Sequence, residues 1–320
     1  MSVLRWCYLT LLLVGVAGCA GDRFGPDANG VCPLIPLASM PAEVRGNLVF
    51  VQATISGAPI TLMVDTGAER TLLTEATVNR LKLPLDTTHA TRTFGIGTPT
   101  SSFDAKLPDG LTLGGTRFPV DTVTVGKFAI DHAAGGSADG LLGADILLAF
   151  DMELDLPDSR VSLYRARRAC PTAGPPWKPP FITLPGITTR RDRLLVPFDL
   201  DGVQAMGVLD TGAQLSAVSR RLAQQLGVGD GELAGDRTVT ARGAAPDQVS
   251  VPMHRFRELV VGTEVVRNPV LPVVPMTDGM GDALVGADFL RGRRVWLSFV
   301  THQMFVTPIE HGPAIAAAGR

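Results

Sequence analysis

The chain has 320 residues, 45% of them hydrophobic, with a formal net charge of −2. Its basic residues are scattered, so no cationic stripe suited to nucleic acid is present, and the length suffices for two domains with cores of their own. The five histidines, His89, His132, His254, His302 and His311, show no metal-ligand spacing, so neither a metal nor a cofactor is implied.

Met1 to Gly18 reads as an export signal, with Arg5 in a short n-region and a largely apolar run from Trp6 through Val16. The run is too short for a bilayer-spanning helix. Val16-Ala17-Gly18-Cys19 resembles the bacterial lipobox, which implies lipid on Cys19, with residues 19–42 as a lipidated tether. Ala20, in place of an Asp, implies the periplasmic face of the outer membrane. The alternative is a secreted or periplasmic soluble protein cut near Ala17. No later stretch approaches the ~20 apolar residues of a span, so membrane contact is expected through the lipid only. Cys7 leaves with the signal, and Cys32 and Cys170 remain as a pair for a disulfide in an oxidising compartment; two free thiols are the alternative.

A first unit is expected over residues 43–168. Leu48 to Ile55 and Ile60 to Val64 read as a hairpin, then a short helix from about Thr74 to Leu81, ended by Pro84. Phe94-Gly95-Ile96-Gly97 is a glycine-bearing hairpin tip, and Leu111 to Phe118 and Val120 to Phe128 read as strands. Leu141 to Phe150 joins a strand end to a short helix with Asp145 as its N-cap, and a hairpin turns at Pro157-Asp158-Ser159. Residues 169–189 read as a stiff proline-rich linker. A second unit over 190–308 repeats the plan: strands at Leu194 to Leu200 and Gln204 to Leu209, a helix near Ser219 to Leu226, strands at Phe256 to Val261 and Val265 to Val274, and a closing hairpin across Thr301-His302-Gln303. Residues 309–320 read as a flexible end. The predicted class is all-β with short helices.

The two units are related without a gap around one tetrapeptide. Asp65-Thr66-Gly67-Ala68 returns as Asp210-Thr211-Gly212-Ala213, offset by 145 residues, each after an apolar strand. At the same offset Gly57 falls on Gly202, Thr71 on Ser216, Thr74 on Ser219 and Leu81 on Leu226. A later pair follows, Leu141-Leu142-Gly143-Ala144-Asp145 and Leu284-Val285-Gly286-Ala287-Asp288. The chain is an internal duplication.

Two carboxylates held face to face cannot both ionise cheaply, so Asp65 and Asp210 are expected to share a proton. The charged member can take a proton from water while the protonated one hydrogen-bonds to a scissile carbonyl, with activity expected at acidic to mildly acidic pH. Thr66 and Thr211 are expected to tie the two turns together, Gly67 and Gly212 to admit backbone amides to the carboxylates, and Thr71 and Ser216 to bond back to the aspartate-bearing turns.

Those residues resemble the retropepsin-like aspartic proteases, twice over. The Asp-Thr-Gly-Ala motif is matched at both sites, and the family's later apolar-apolar-Gly element by Leu141-Leu142-Gly143 and Leu284-Val285-Gly286. The resemblance implies two retropepsin-like acid-protease lobes paired within one chain as a pepsin-like pseudo-dimer, acting as an endopeptidase on envelope or periplasmic polypeptides. It makes Phe94 to Gly97 the flap candidate. Two features depart from the family: Ala144 and Ala287 stand where retroviral members carry Arg, and neither hairpin tip carries the pepsin flap Tyr. An inert protease-like binding or scaffold protein, and a homodimer pairing Asp65 with Asp65 and Asp210 with Asp210, are the competing readings.

Overall fold

Short apolar runs separated by glycine-containing turns place most of the described residues in β-sheet. The computed structural model describes residues 34–93, 100–126, 137–165, 174–189, 193–242, 248–276 and 281–308. The signal stretch 1–18, Cys19, Cys32, Cys170, Phe94 to Gly97 and the tail 309–320 lie outside those residues.

The first half contains β1 (Pro36–Arg45), β2 (Leu48–Ile55), β3 (Ala58–Val64), β4 (Leu72–Thr74), α1 (Glu75–Leu81), β5 (Leu85–Thr93), β6 (Thr100–Lys106), β7 (Leu111–Leu113), β8 (Thr116–Phe118), β9 (Thr122–Gly126), β10 (Gly140–Leu142), α2 (Ala144–Leu147), β11 (Phe150–Asp155) and β12 (Arg160–Arg165). The second contains β13 (Ile182–Pro185), β14 (Ile187–Thr188), β15 (Leu194–Leu200), β16 (Val203–Leu209), β17 (Ala217–Ser219), α3 (Arg220–Gln225), α4 (Asp230–Leu233), β18 (Thr238–Arg242), β19 (Gln248–Arg255), β20 (Glu258–Val261), β21 (Glu264–Arg267), β22 (Val270–Val274), β23 (Ala283–Val285), α5 (Ala287–Leu290), β24 (Arg294–Ser298) and β25 (Gln303–Val306).

The strand order β2-β3-β10-β4-β9-β6-β5 of the first half returns as β15-β16-β23-β17-β22-β19-β18 in the second. Both faces of these sheets are covered near the motif. In β2, Val49 and Val51 enter the large core while Leu48 and Phe50 turn to a smaller apolar cluster with Met63 and Leu141. Burial on both faces explains why these strands read as continuous apolar runs rather than alternating ones. The repeated Thr74 and Ser219 are the helix caps: their hydroxyls accept from Thr77 N and Leu222 N, at 3.1 and 3.0 Å.

Two boundaries move relative to the sequence expectation. The tether expected over 19–42 gives up Pro36 to Ala42 to β1, which pairs with β12 and then β2. The linker expected over 169–189 gives up Ile182 to Thr188 to β13 and β14, which pair with β25 and β15. These segments are counterparts at the 145-residue offset. Pro36, Pro41 and Pro185 make them look irregular, yet each sits at a position the ladder tolerates, and Ala38, Met40 and Leu184 point into the core. The linker residues that precede β13 are not a free spacer. Trp177 donates Nε1–H to Glu153 at 2.8 Å, and Phe181 packs edge-on against Trp177 and Phe305, so Trp177 and Phe181 are laid on the sheet between the halves.

That sheet runs β13-β25-β24-β11-β12-β1, with β11 and β24 joining the halves from Asp151↔Ser298 to Asp155↔Arg294. Its buried Glu153 is fully partnered, accepting from Arg294, Trp177 and Tyr164. Asp151 is less well served. Its Oδ1 is buried with no partner among the described residues, and burial pushes its carboxyl up to about 6. A folded-state value above the unfolded 3.8 means that the native chain binds the extra proton. Stability therefore falls as pH rises from about 4 to about 6, then levels off. Asp151→Asn should raise stability at pH 7.5 by up to about 3 kcal/mol and leave it nearly unchanged at pH 4, as read by denaturant melts at the two pH values.

Candidate active site

Each motif turn is placed by a parallel strand pair that ends at the same level. Val64 lies beside Leu142 and Leu209 beside Val285; the next amides, Asp65 N and Asp210 N, each donate at 3.0 Å to the carbonyls of Leu142 and Val285. In both turns one carboxylate oxygen accepts two backbone amides at 3.0 Å: Gly67 N and Ala68 N on Asp65, Gly212 N and Ala213 N on Asp210. The carboxylates are thereby oriented by main chain, which the Asp-x-Gly sequence permits.

The threonines lock the halves together reciprocally. Thr66 Oγ1 donates to Leu209 O at 2.7 Å and accepts from Thr211 N at 3.1 Å; Thr211 Oγ1 donates to Val64 O at 2.7 Å and accepts from Thr66 N at 3.0 Å. Both threonines are fully buried, so all four bonds are made away from water. The glycines do more than admit amides. A Cβ on Gly67 would stand 2.3 Å from Asp210 Cγ, and one on Gly212 would stand 2.3 Å from Asp65 Cγ. Each carboxyl occupies the space that the opposite glycine leaves open, and Asp65 and Asp210 are within hydrogen-bonding reach of each other. Burial first, then the facing Asp210 charge, pushes Asp65 up to about 8; burial also raises Asp210, against its two backbone amides.

Thr71 and Ser216 support the turns by a different route from the one expected. Their hydroxyls and amides donate to Asp145 and Asp288, at 2.7 and 2.8 Å in both halves, and the same hydroxyls accept from Gly143 N and Gly286 N at 3.0 Å. Asp145 is therefore not the N-cap of α2, a place held by Gly143; it lies in the first turn and clamps the segment after the motif. Gly143 and Gly286 are required there because a Cβ would meet the backbone of Arg70 and Leu215 at 2.5 and 2.6 Å. Where retroviral proteases place Arg, Ala144 and Ala287 donate their amides to Ala68 O and Ala213 O at 2.8 Å, tying each later element to its motif turn through main chain alone.

One residue beside the pair had no signal in the repeat. Arg193, 7% exposed, enters from the second half just before β15, donates Nε to Gly67 O at 3.0 Å and pairs Nη2 with Glu69 at 3.2 Å. Nη1 is buried with no partner among the described residues.

Two equivalent lobes, a threonine lock and two facing carboxyls define the class of the protein as an aspartic-type peptide hydrolase, whose substrates are polypeptides. The family model described as Aspartyl protease matches residues 51–146 and 196–289, more than half of the chain, and the chain belongs to that family. Among solved structures it is similar to the crystal structure of aspartic proteinase from Irpex lacteus, at 12% identity and a TM-score of 0.47, covering 88% of this chain and 98% of that one. A comparison with curated proteins finds no match.

Proposed function

We propose that the protein is an endopeptidase of envelope or periplasmic polypeptides whose chemistry runs on a single Asp65–Asp210 dyad formed within one chain. The observation that carries this reading is the mutual seating of each carboxyl in the gap left by the opposite glycine. With one proton on the pair, the ionised carboxylate takes a proton from water as its oxygen adds to the peptide carbonyl carbon. The protonated carboxyl donates to the carbonyl oxygen. Collapse of the tetrahedral intermediate breaks the C–N bond, and the departing nitrogen takes up the proton. The working form carries one proton on the pair, so activity falls on the acid side once both carboxyls are protonated and on the alkaline side as Asp65 deprotonates near pH 8.

The test is digestion of an unbiased peptide library by the full chain, read by mass spectrometry over a range of protein concentration. Internal cleavage at a rate per molecule that does not change with concentration is expected. A rate per molecule that rises with concentration supports pairing between chains, and no cleavage at any pH supports the inert binding protein. We further propose that the mature chain is lipid-anchored through Cys19. Cys19→Ser should then move the protein from the membrane fraction to the soluble one.

A further inference from the structure

The two halves share the motif turns and their hydroxyl supports, and they differ in the charges set beside those turns: Glu69 and Arg70 fall on Gln214 and Leu215, and Leu48 falls on Arg193. At the 145-residue offset Arg193 answers to Leu48, a buried apolar side chain, and its partner Glu69 answers to Gln214. The guanidinium grips the carbonyl of Gly67, the residue against which Asp210 is seated. A cation is thus built in on the Asp210 side, and the described residues around Asp65 hold no counterpart.

We propose that Arg193 breaks the symmetry of the dyad, keeping Asp210 as the ionised, water-activating member and leaving the shared proton on Asp65. This inference rests on the reading of the pair as a working dyad and assigns its two roles. The other charged groups against the turns do not reverse it. Glu69 is 43% exposed at its side chain and offsets the buried guanidinium only in part. Arg70 and Asp104 form a pair at 3.0 Å with no net charge. Asp145 and Asp288 lie behind the two turns, each bonded to its own Thr71 or Ser216; Asp145 is exposed, so water screens its charge, and Asp288 is buried, so burial raises its carboxyl and disfavours its charge. Burial is the largest influence and raises both carboxyls; the Arg193 charge works against that rise at Asp210, whereas the facing Asp210 charge adds to it at Asp65. Arg193 touches no reacting atom and is a positioning residue.

The experiment is a carboxyl-carbon NMR titration of the full chain labelled at Asp Cγ, with the two signals assigned from Asp65→Asn and Asp210→Asn. The wild type should show Asp210 titrating below Asp65. Arg193→Leu should raise the Asp210 midpoint by about 1 pH unit and narrow the gap. Arg193→Lys should keep the order, and Glu69→Gln should move the Asp210 midpoint the opposite way by uncovering the guanidinium charge. Should Arg193→Leu not fold, the opposed Lys and Gln variants still decide. Midpoints unmoved in every variant, or Asp65 titrating first in the wild type, would overturn the assignment. The titration uses no substrate, so it stands or falls apart from the peptidase reading. Peptide cleavage together with unmoved midpoints removes the role of Arg193 and leaves the dyad intact.

Discussion

Asp65→Asn and Asp210→Asn, made separately, should each cut peptide cleavage by roughly 10³-fold or more, the scale of a lost general acid or base. An Asn can still donate a hydrogen bond, but it can neither accept the proton of water nor pass one on. The folded state should not suffer. Each carboxyl is raised by burial, and Asp65 also by its neighbour's charge, so making one of them permanently neutral relieves desolvation and repulsion. The expected pattern is therefore lost cleavage with an unchanged or higher melting temperature at neutral pH. Either variant keeping most of its activity would show that the two turns do not work as a unit.

Gly212→Ala should be almost as damaging by a different route. Its Cβ would lie 2.3 Å from Asp65 Cγ and 2.5 Å from an Asp65 carboxylate oxygen, so the pair must open or the turn must shift. Loss of about 10²-fold in kcat is expected from a displacement on the order of 1 Å, with about 1–3 kcal/mol of destabilisation from overpacking. Gly67→Ala should behave alike, because it meets Asp210 at the same distance. Gly202→Ala is the control: its φ of +89° costs a side chain about 1 kcal/mol, but the new Cβ meets nothing within 4 Å, and kcat should hold. A Gly212→Ala enzyme with undiminished kcat would contradict the close facing of the two turns.

The carboxyl pair was legible in the sequence because its demands are local and stated twice. A turn that must present an acid, a cross-bonding hydroxyl and a missing Cβ accepts few residues, so the duplication preserved Asp-Thr-Gly in both copies. Thr74 and Ser219 were visible as a matched pair of hydroxyl residues in the repeat, and the structure makes them the caps of two short helices. What was hidden depends on distant partners. The strands β1 and β13 carry prolines and few inward apolar side chains, and only pairing with β12 and β25, far along the chain within the same half, makes them strands. Leu111 to Phe118, read as one strand, is two because Gly114 and Gly115 turn the chain with positive φ; Val265 to Val274 likewise breaks near Asn268, at φ +51°. The single turn α4 lies in a polar stretch with no apolar period, where only Leu233 is buried. Asp145 and Asp288 were noticed as repeated letters, but their bond to Thr71 and Ser216 spans 74 and 72 residues. Arg193 had no repeat to betray it, since its importance lies in being unmatched.

The sheet between the halves bears on how such a chain can arise from two separate ones. The first half ends at the Arg165 edge of β12 and the second begins at β13, four strand spacings away, which is about 19 Å at ~4.8 Å per strand. Sixteen intervening residues can extend to roughly 55 Å, nearly three times that gap. Two single-lobe ancestors associating as this fold does already hold the tail of one near the head of the other, so fusing their genes needs no rearrangement of either. Once fused, the copies no longer have to be identical, and each side of the carboxyl pair is free to acquire residues of its own.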